Sequence, residues 1–413
     1  MNIAIVGTGI AGLVAARGLH KHHDITLFEA EAHVGGHTHS HDIKLGGHDW
    51  VVDTGFIVHN DRTYPGFIHL LDELGVIAKP CPMSFSVRCE RTGLEYNGAS
   101  LNSLFAQRRN LLSPRFYCLI GEILRFYREA PGFLQAGDDH TLLLDYLKSR
   151  GYRQDFIDYY AIPMGAAIWS QAPGTIEAFP ARHFIRFFHN HGMLSLTDWP
   201  QWRVIEGGSR NYVTALIAPF RDRIHLSTPV VRIDRDPQGI TLYTATGAAA
   251  RYEAVVLACH SDQALRLLAN PVPEEREILG AIPYSENEVI LHTDASVLPR
   301  NRRAWAGWNY YLPAQSQQHV LVTYNMNILQ GLAAPETFCV SLNCKDTIDS
   351  NRVIERLTYH HPVYTPAGVA AQSRLSEISG KNRTYYAGAY WGYGFHEDGL
   401  QSGLRVIAGL DEG

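Results

Sequence analysis

At 413 residues, 46% of them hydrophobic and 19% charged, the chain is ordinary globular material and long enough for more than one core. A formal net charge of −5 removes the electrostatic case for a nucleic-acid partner. Six cysteines (Cys81, Cys89, Cys118, Cys259, Cys339 and Cys344) follow neither zinc-type nor disulfide-framework spacing, so reduced thiols in a cytoplasmic compartment are expected.

The opening MNIAIVGTGIAGLVAARGL is apolar enough to imitate a signal peptide, but it lacks a basic leading region and glycines interrupt it. It reads instead as a strand (NIAIVG, 2–7), a glycine turn and a helix (LVAARGLHKH), followed by a second strand, DITLFEA. The crossover rule makes that unit a parallel pair with a right-handed connection. Around 104–130 the pattern turns helical, as in FYCLIGEILRFYREA. DHTLLLDYLKSRGY (139–152) predicts another helix, opened by an Asp cap. Residues 224–260 return to strands (IHLSTPVVRIDRD, GITLYTAT, YEAVVLACH), and so do 286–344 (EVILHTD, HVLVTYNM, TFCVSLN). The last segment, RTYYAGAYWGYGFHEDGLQSGLRVIAGL, predicts strand, glycine-rich loop and helix. No run approaches the roughly 20 apolar residues of a bilayer span, so the protein is expected to be soluble, or at most to sit on a membrane surface.

GTGIAG places Gly7, Gly9 and Gly12 in G-x-G-x-x-G spacing between strand and helix. Gly7 permits the turn, Gly9 lets a pyrophosphate approach, and Gly12 lets the helix pack on the strand. The helix, opened by Ile10 and Ala11, offers its N–H groups and positive dipole end to phosphates. Glu29, before Ala30, ends the second strand about 20 residues on, where a carboxylate accepts from ribose hydroxyls and repels a 2′-phosphate. A dinucleotide other than NADP is expected; a glycine turn without a ligand is the bland alternative.

Gly35 and Gly36 follow Glu29 after a short spacer, a second glycine pair that a nicotinamide dehydrogenase does not need. Here the chain resembles the flavin-dependent amine oxidase superfamily, which includes protoporphyrinogen oxidases and phytoene-type desaturases. The resemblance implies an α/β fold. A Rossmann-like FAD-binding domain of the glutathione-reductase type would be assembled from 1–75, 200–275 and 370–413. A mixed-sheet-plus-helices substrate domain would come from 76–199 and 276–369. It implies FAD, held non-covalently since no cysteine lies in the C-terminal motif, with the Gly35–Gly36 backbone close to the pyrophosphate. His37, before Thr38, stands where the family commonly has Arg. DTGFIV, with Gly55, Phe56 and Ile57, matches the loop beside the isoalloxazine ring. Val231 in TPVVRID matches the residue whose main chain pairs with adenine, and Cys259 lies in the strand and loop leading back to the nucleotide. GAYWGYGFHEDGLQSG, with Gly388, Phe395, His396, Glu397, Asp398 and Ser402, matches the terminal loop and helix facing the flavin carbonyl and the pyrophosphate. The lysine usual near the flavin of amine oxidases has no counterpart; SENEVILHTD offers Glu288 instead. GGHTHS, LEYNG, NHGML and GAYWGYGFHEDG further resemble a bacterial subgroup associated with enzymes that methylate or cyclopropanate fatty acyl chains.

His37, His39 and His41 alternate, as residues sharing one face of a strand do. A metal site and partly exposed polar histidines both fit; no second cluster completes a ligand set, and no metal is expected. His59, Tyr390 and Trp391 are the catalytic candidates, with His59 and His396 as the titratable groups for proton traffic. Trp305, Trp308, Tyr310, Tyr311, Tyr393 and Phe395 either wall a slot for a cation or an apolar chain, or pack the core. The arginine-rich insert 104–134 suits an ordinary amphipathic helix on the sheet, or a peripheral lipid contact. The expected function is FAD-dependent removal of hydride from carbon of a small hydrophobic substrate such as an unsaturated or methylated acyl chain. An amine oxidase releasing peroxide and a non-catalytic flavoprotein are the alternatives.

Overall fold

The computed structural model describes residues 1–135, 139–315 and 319–411. The apolar run at the N-terminus forms the strand Asn2–Val6, the middle of a five-stranded parallel sheet. The order across it is 224–225, 24–28, 2–6, 254–257 and 384–386. Ile3 and Ile5 point to one face, where they pack on the helices Ile10–Leu19 and His396–Asp411. Ala4 and Val6 point to the other, against an antiparallel three-stranded layer of residues 230–252. Both faces are covered, which is why the central strands AIV and AVVL are apolar without alternation. The C-terminal helix lies tightly on the first: a Cβ on Gly403 would come within 2.6 Å of the Ala11 carbonyl oxygen.

A second, seven-stranded sheet runs 353–362, 284–292, 339–342, 322–325, 308–312, 85–89 and 95–97. All its pairings are antiparallel except 308–312 with 85–89, where two segments far apart in sequence meet side by side. The helices Pro114–Phe133, Leu143–Ser149, Ile162–Trp169 and Ala181–Asn190 share a core with this sheet. Ala181–Asn190 buries Phe184, Ile185, Phe187 and Phe188, the i, i+1, i+3, i+4 stripe of an amphipathic helix. The molecule is a mixed α/β structure of several sheets and helices. Among the described residues no helix is long and apolar enough to cross a membrane.

Three local expectations are corrected. The helix within 139–152 starts at Leu143 without a side-chain cap, because Asp139 instead accepts from Arg182 Nη1 at 2.9 Å. Residues 224–236 do not make one strand: Ile224–His225 joins the parallel sheet, Ser227 turns with φ +49°, and Val230–Asp236 joins the hairpin layer. The histidine run does not lie on one strand, since that strand begins only at Ser40. Ala78–Pro80 pairs with Trp202–Ile205 in a small three-stranded sheet with Val58–Asn60.

Candidate functional site

Gly7 has φ +103°, and a Cβ there would lie 2.7 Å from the Ala258 carbonyl oxygen. A Cβ on Gly12 would lie 2.1 Å from the Gly7 carbonyl oxygen, so both glycines serve close packing. Gly9 differs. A Cβ there meets nothing within 4 Å, and the residue lines a cavity of about 1250 Å³. The helix beginning at Ile10 has no side-chain cap and no acid in its first turn, leaving its leading N–H groups available to an anion. Ile10 and Ala11 line the same wall.

Two loops are pressed against this turn. Gly35 N donates to the Thr8 carbonyl at 3.1 Å, and a Cβ on Gly36 would come within 3.0 Å of Gly9 Cα. Gly55 passes so close to the His37 carbonyl that a Cβ would sit 1.9 Å from its oxygen, while Phe56 N donates to it at 2.8 Å. Phe56 stacks on His396, ring centroids 3.5 Å apart. Thr38 is buried beneath, its hydroxyl bonded to Tyr212 Oη at 2.7 Å and to His396 Nε2 at 3.2 Å. Gly35, Gly36, His37, Gly55, Phe56, Ile57 and His396 line the cavity; Thr38 and Gly12 act from behind it.

Glu29 is buried at one end of the cavity, next to Ala30. Its Oε2 accepts from Thr8 N at 2.9 Å and Thr8 Oγ1 at 2.5 Å, and its Oε1 from Glu31 N at 3.0 Å. The carboxylate is thus fixed in place, with a lone pair to spare on Oε1. At this end the lining residue is Val230, while the Val231 side chain is 52% exposed. The hairpin register shifts between Val230 and Arg232, leaving Val231 without a residue opposite and its main chain outside the regular ladder.

Around the middle of the cavity stand His37, His260, His361, Tyr284 and Tyr359, of which only His37 was singled out from the sequence. Burial and the neighbouring His360 bring His37 down to about 4. Burial, helped by the neighbouring His37 and His360, brings His260 and His361 to about 3. All three are neutral at physiological pH, so His37 does not replace the charge of an arginine. The cation lining the nucleotide end is Arg266, which the motif pattern did not mark. Cys259 lines the cavity as an inert thiol, pushed up to about 12 by burial. His33, His39 and His41 form a ladder, with ring centroids 4.0 and 4.2 Å apart. Among the described residues no three His, Cys, Asp or Glu side chains are grouped to hold a metal ion.

Several predicted site residues have other work. His59 is buried between Tyr64 and Phe67, off the cavity, because its neighbour Val58 takes the inward face of that strand. Trp391 packs in the core below the parallel sheet, whereas Tyr390 does line the cavity. Glu397 accepts from Gly66 N at 3.0 Å and Phe67 N at 2.9 Å, capping the helix Pro65–Leu74. Ser402 Oγ accepts from Gly388 N at 2.9 Å, setting the loop rather than lining the cavity. Asp398 accepts from Phe395 N at 3.0 Å and faces a separate cavity of about 960 Å³, where burial pushes it up to about 6. Gly388 and Phe395 line the main cavity. Of the sheet-segment aromatics only Trp308 reaches it; Trp305 Nε1 donates to the Pro299 carbonyl, Tyr310 is core, and Tyr311 donates to Glu90.

An uncapped helix end, a glycine with open space before it, a fixed buried carboxylate and a cavity larger in volume than most small-ligand pockets fit a dinucleotide such as FAD. Solved structures share the fold. A putrescine oxidase mutant with a redesigned cofactor site aligns with TM-score 0.74 at 15% identity, over 100% of this chain and 99% of that one. Cyclohexylamine oxidase from Brevibacterium oxydans IH-35A aligns with TM-score 0.73 at 15% identity, over 100% and 98%. The CLA-producing fatty acid isomerase from P. acnes aligns with TM-score 0.70 at 16% identity, over 98% and 97%. An L-amino acid dehydrogenase of Synechocystis sp. is 23% identical over 261 residues, 59% of this chain. The match spans about half (52%) of that relative's length. Residues 10–337, which include Gly12, Glu29, the Gly35–Gly36 pair and most of the cavity wall, match the family model described as flavin containing amine oxidoreductase, and the chain belongs to that family.

Proposed function

We propose that the protein is an FAD-dependent oxidoreductase that removes hydride from carbon of an elongated apolar substrate, an unsaturated or methylated acyl chain fitting best. The observation supporting this is the far end of the cavity. Past the histidines it runs on among Met83, Ile120, Ile123, Met164 and Ile168. No lysine lines it among the described residues, and its lining acids, Glu29 and Glu31, stand at the nucleotide end. A hydrocarbon entering there gains about 25 cal/mol per Å² removed from water; an ammonium group would be desolvated without a carboxylate to meet it.

FAD, when bound, accepts the two electrons and the hydrogen leaving carbon. The chain's residues hold and shield. The N–H groups at Ile10 and Ala11, with the Gly35–Gly36 backbone, would hold the diphosphate, and Glu29 the ribose. The apolar wall excludes water and aligns the substrate. Tyr127 and Tyr160, both lining the cavity, are hydrogen-bonded to each other at 2.8 Å, and burial keeps both phenols protonated. That pair offers a neutral hydroxyl to a polar atom of the chain.

One observation favours amine oxidation instead: Tyr390 and Tyr359, the latter 4.9 Å from His37, line the cavity, and aromatic faces attract cations. The names of the oxidase relatives agree with it, as the name of the isomerase agrees with the acyl reading. Anaerobic titration of the yellow holoprotein with oleic acid and with putrescine separates the two. Bleaching by oleic acid is expected. Bleaching by the amine, with acyl chains inert, would overturn the acyl reading, and bleaching by neither leaves a flavoprotein without this chemistry. Acid precipitation should release all the FAD, as non-covalent binding requires.

A further inference from the structure

We propose that the mouth of the apolar cavity is a membrane-docking surface whose partner is an anionic lipid bilayer. The proposal rests on the acyl-chain reading only for what passes through the mouth. Leu101 is 77% and Leu112 89% exposed, and Leu111, Tyr117 and Leu124 are exposed beside them. Leu111, Leu112, Tyr117 and Leu124 form one continuous stretch. Tyr117 Oη donates to the Leu111 carbonyl at 3.2 Å, and Tyr117 and Leu124 lie two turns apart on one face of Pro114–Phe133. Leu124 reaches the cavity wall, as do the exposed Leu196 (66%) and Trp199 from a different segment. Single exposed leucines are normal, whereas a cluster around the opening of an apolar cavity marks a contact surface.

The charge selects the occupant. Residues 101–133 carry Arg108, Arg109, Arg115, Arg125 and Arg128 against Glu122 and Glu129, a net +3 on a chain of net −5. Arg115 and Arg125 are spent on Asp155 and on Glu122 and Glu129. Arg108 and Arg109, adjoining the exposed leucines, bond only to neutral groups: Asn102, the Phe105 carbonyl and the Gly93 carbonyl. Unpaired guanidinium groups beside exposed leucines match the boundary between anionic headgroups and acyl chains. A cavity lined by hydrocarbon that opens at this boundary lets an acyl chain enter without crossing water.

Flotation of the holoprotein, without substrate, on phosphatidylcholine vesicles with and without phosphatidylglycerol tests the proposal. Binding only to the anionic vesicles is expected, weakened by salt. L112E and L101E/L112E should weaken it on the order of tenfold or more, and R108E/R109E should abolish the lipid preference, with the yellow flavin spectrum retained throughout. A wild-type holoprotein that binds neither vesicle, or variants that float as the wild type does, would overturn the proposal. So would a concentration-dependent dimer on gel filtration that L112E abolishes, which would assign the patch to a second copy. A protein that floats but is not bleached by oleic acid loses only the acyl reading; one bleached by detergent-dispersed oleic acid that does not float loses only the docking.

Discussion

At the scale of single residues, the three glycines of the fingerprint have separable roles. Gly9 has φ −66° and open space before it, so Gly9→Ala should leave the melting temperature of the apoprotein unchanged. The new methyl would enter the cavity and weaken FAD retention on gel filtration by tenfold or more, about 1.4 kcal/mol. Gly12→Ala should do the reverse, lowering stability by about 1–3 kcal/mol, because its Cβ collides with the Gly7 carbonyl inside the fold. Tyr127→Phe should weaken binding of oleic acid while leaving that of a hydrocarbon of equal length nearly unchanged, read by displacement of a fluorescent fatty acid. The lost hydroxyl contact is worth about 1 kcal/mol. The glycines and Glu29 were legible because their constraints are local: a tight turn, a helix end and a carboxylate at a strand end. His59 was not, because a strand alternates its faces and nothing nearby in sequence says which of Val58 and His59 turns inward.

Among elements, the hairpin strand Val230–Asp236, the helix Pro273–Gly280 and the strand Thr384–Tyr386 are tied by one buried charge pair. Glu275 accepts from Arg235 at 2.5 and 2.7 Å, from Tyr386 Oη at 2.7 Å and from Val272 N at 2.9 Å. Burial by itself pushes this carboxyl up, but the Arg235 guanidinium and the other donors outweigh it and hold the group below its ordinary value. The stability it contributes is therefore fully present above the unfolded value near 4.3 and is lost as pH falls through the lower folded value. Urea unfolding of Glu275→Ala at neutral pH should show a loss of about 3–5 kcal/mol, since Arg235 is left buried without a partner. Glu275→Gln should flatten the acid limb of the stability profile. Element types were mostly legible from apolar periodicity, as for the final strand, loop and helix. Caps were less so: Glu397, read as a cofactor contact, caps a helix more than 300 residues earlier, a partnership no local pattern encodes.

For the whole molecule, the decisive feature is a single cavity running from Glu29 to the insert helices. Ile168 lies on its apolar stretch and is only half-buried. Ile168→Trp should leave flavin binding intact and raise KM for long acyl chains on the order of tenfold, with short analogues unaffected, in steady-state assays across chain lengths. The amino-acid sequence by itself determined the dinucleotide cradle and the family, because a phosphate is held by backbone geometry that glycine spacing and a helix start encode within some thirty residues. Only the tertiary structure decided what stands opposite that cradle. The histidine and tyrosine wall, the Tyr127–Tyr160 pair and the exposed leucines at the mouth come from segments as much as 324 residues apart, the separation of His37 and His361 (361 − 37). Their meeting depends on strand register and helix packing, which are properties of the assembled core.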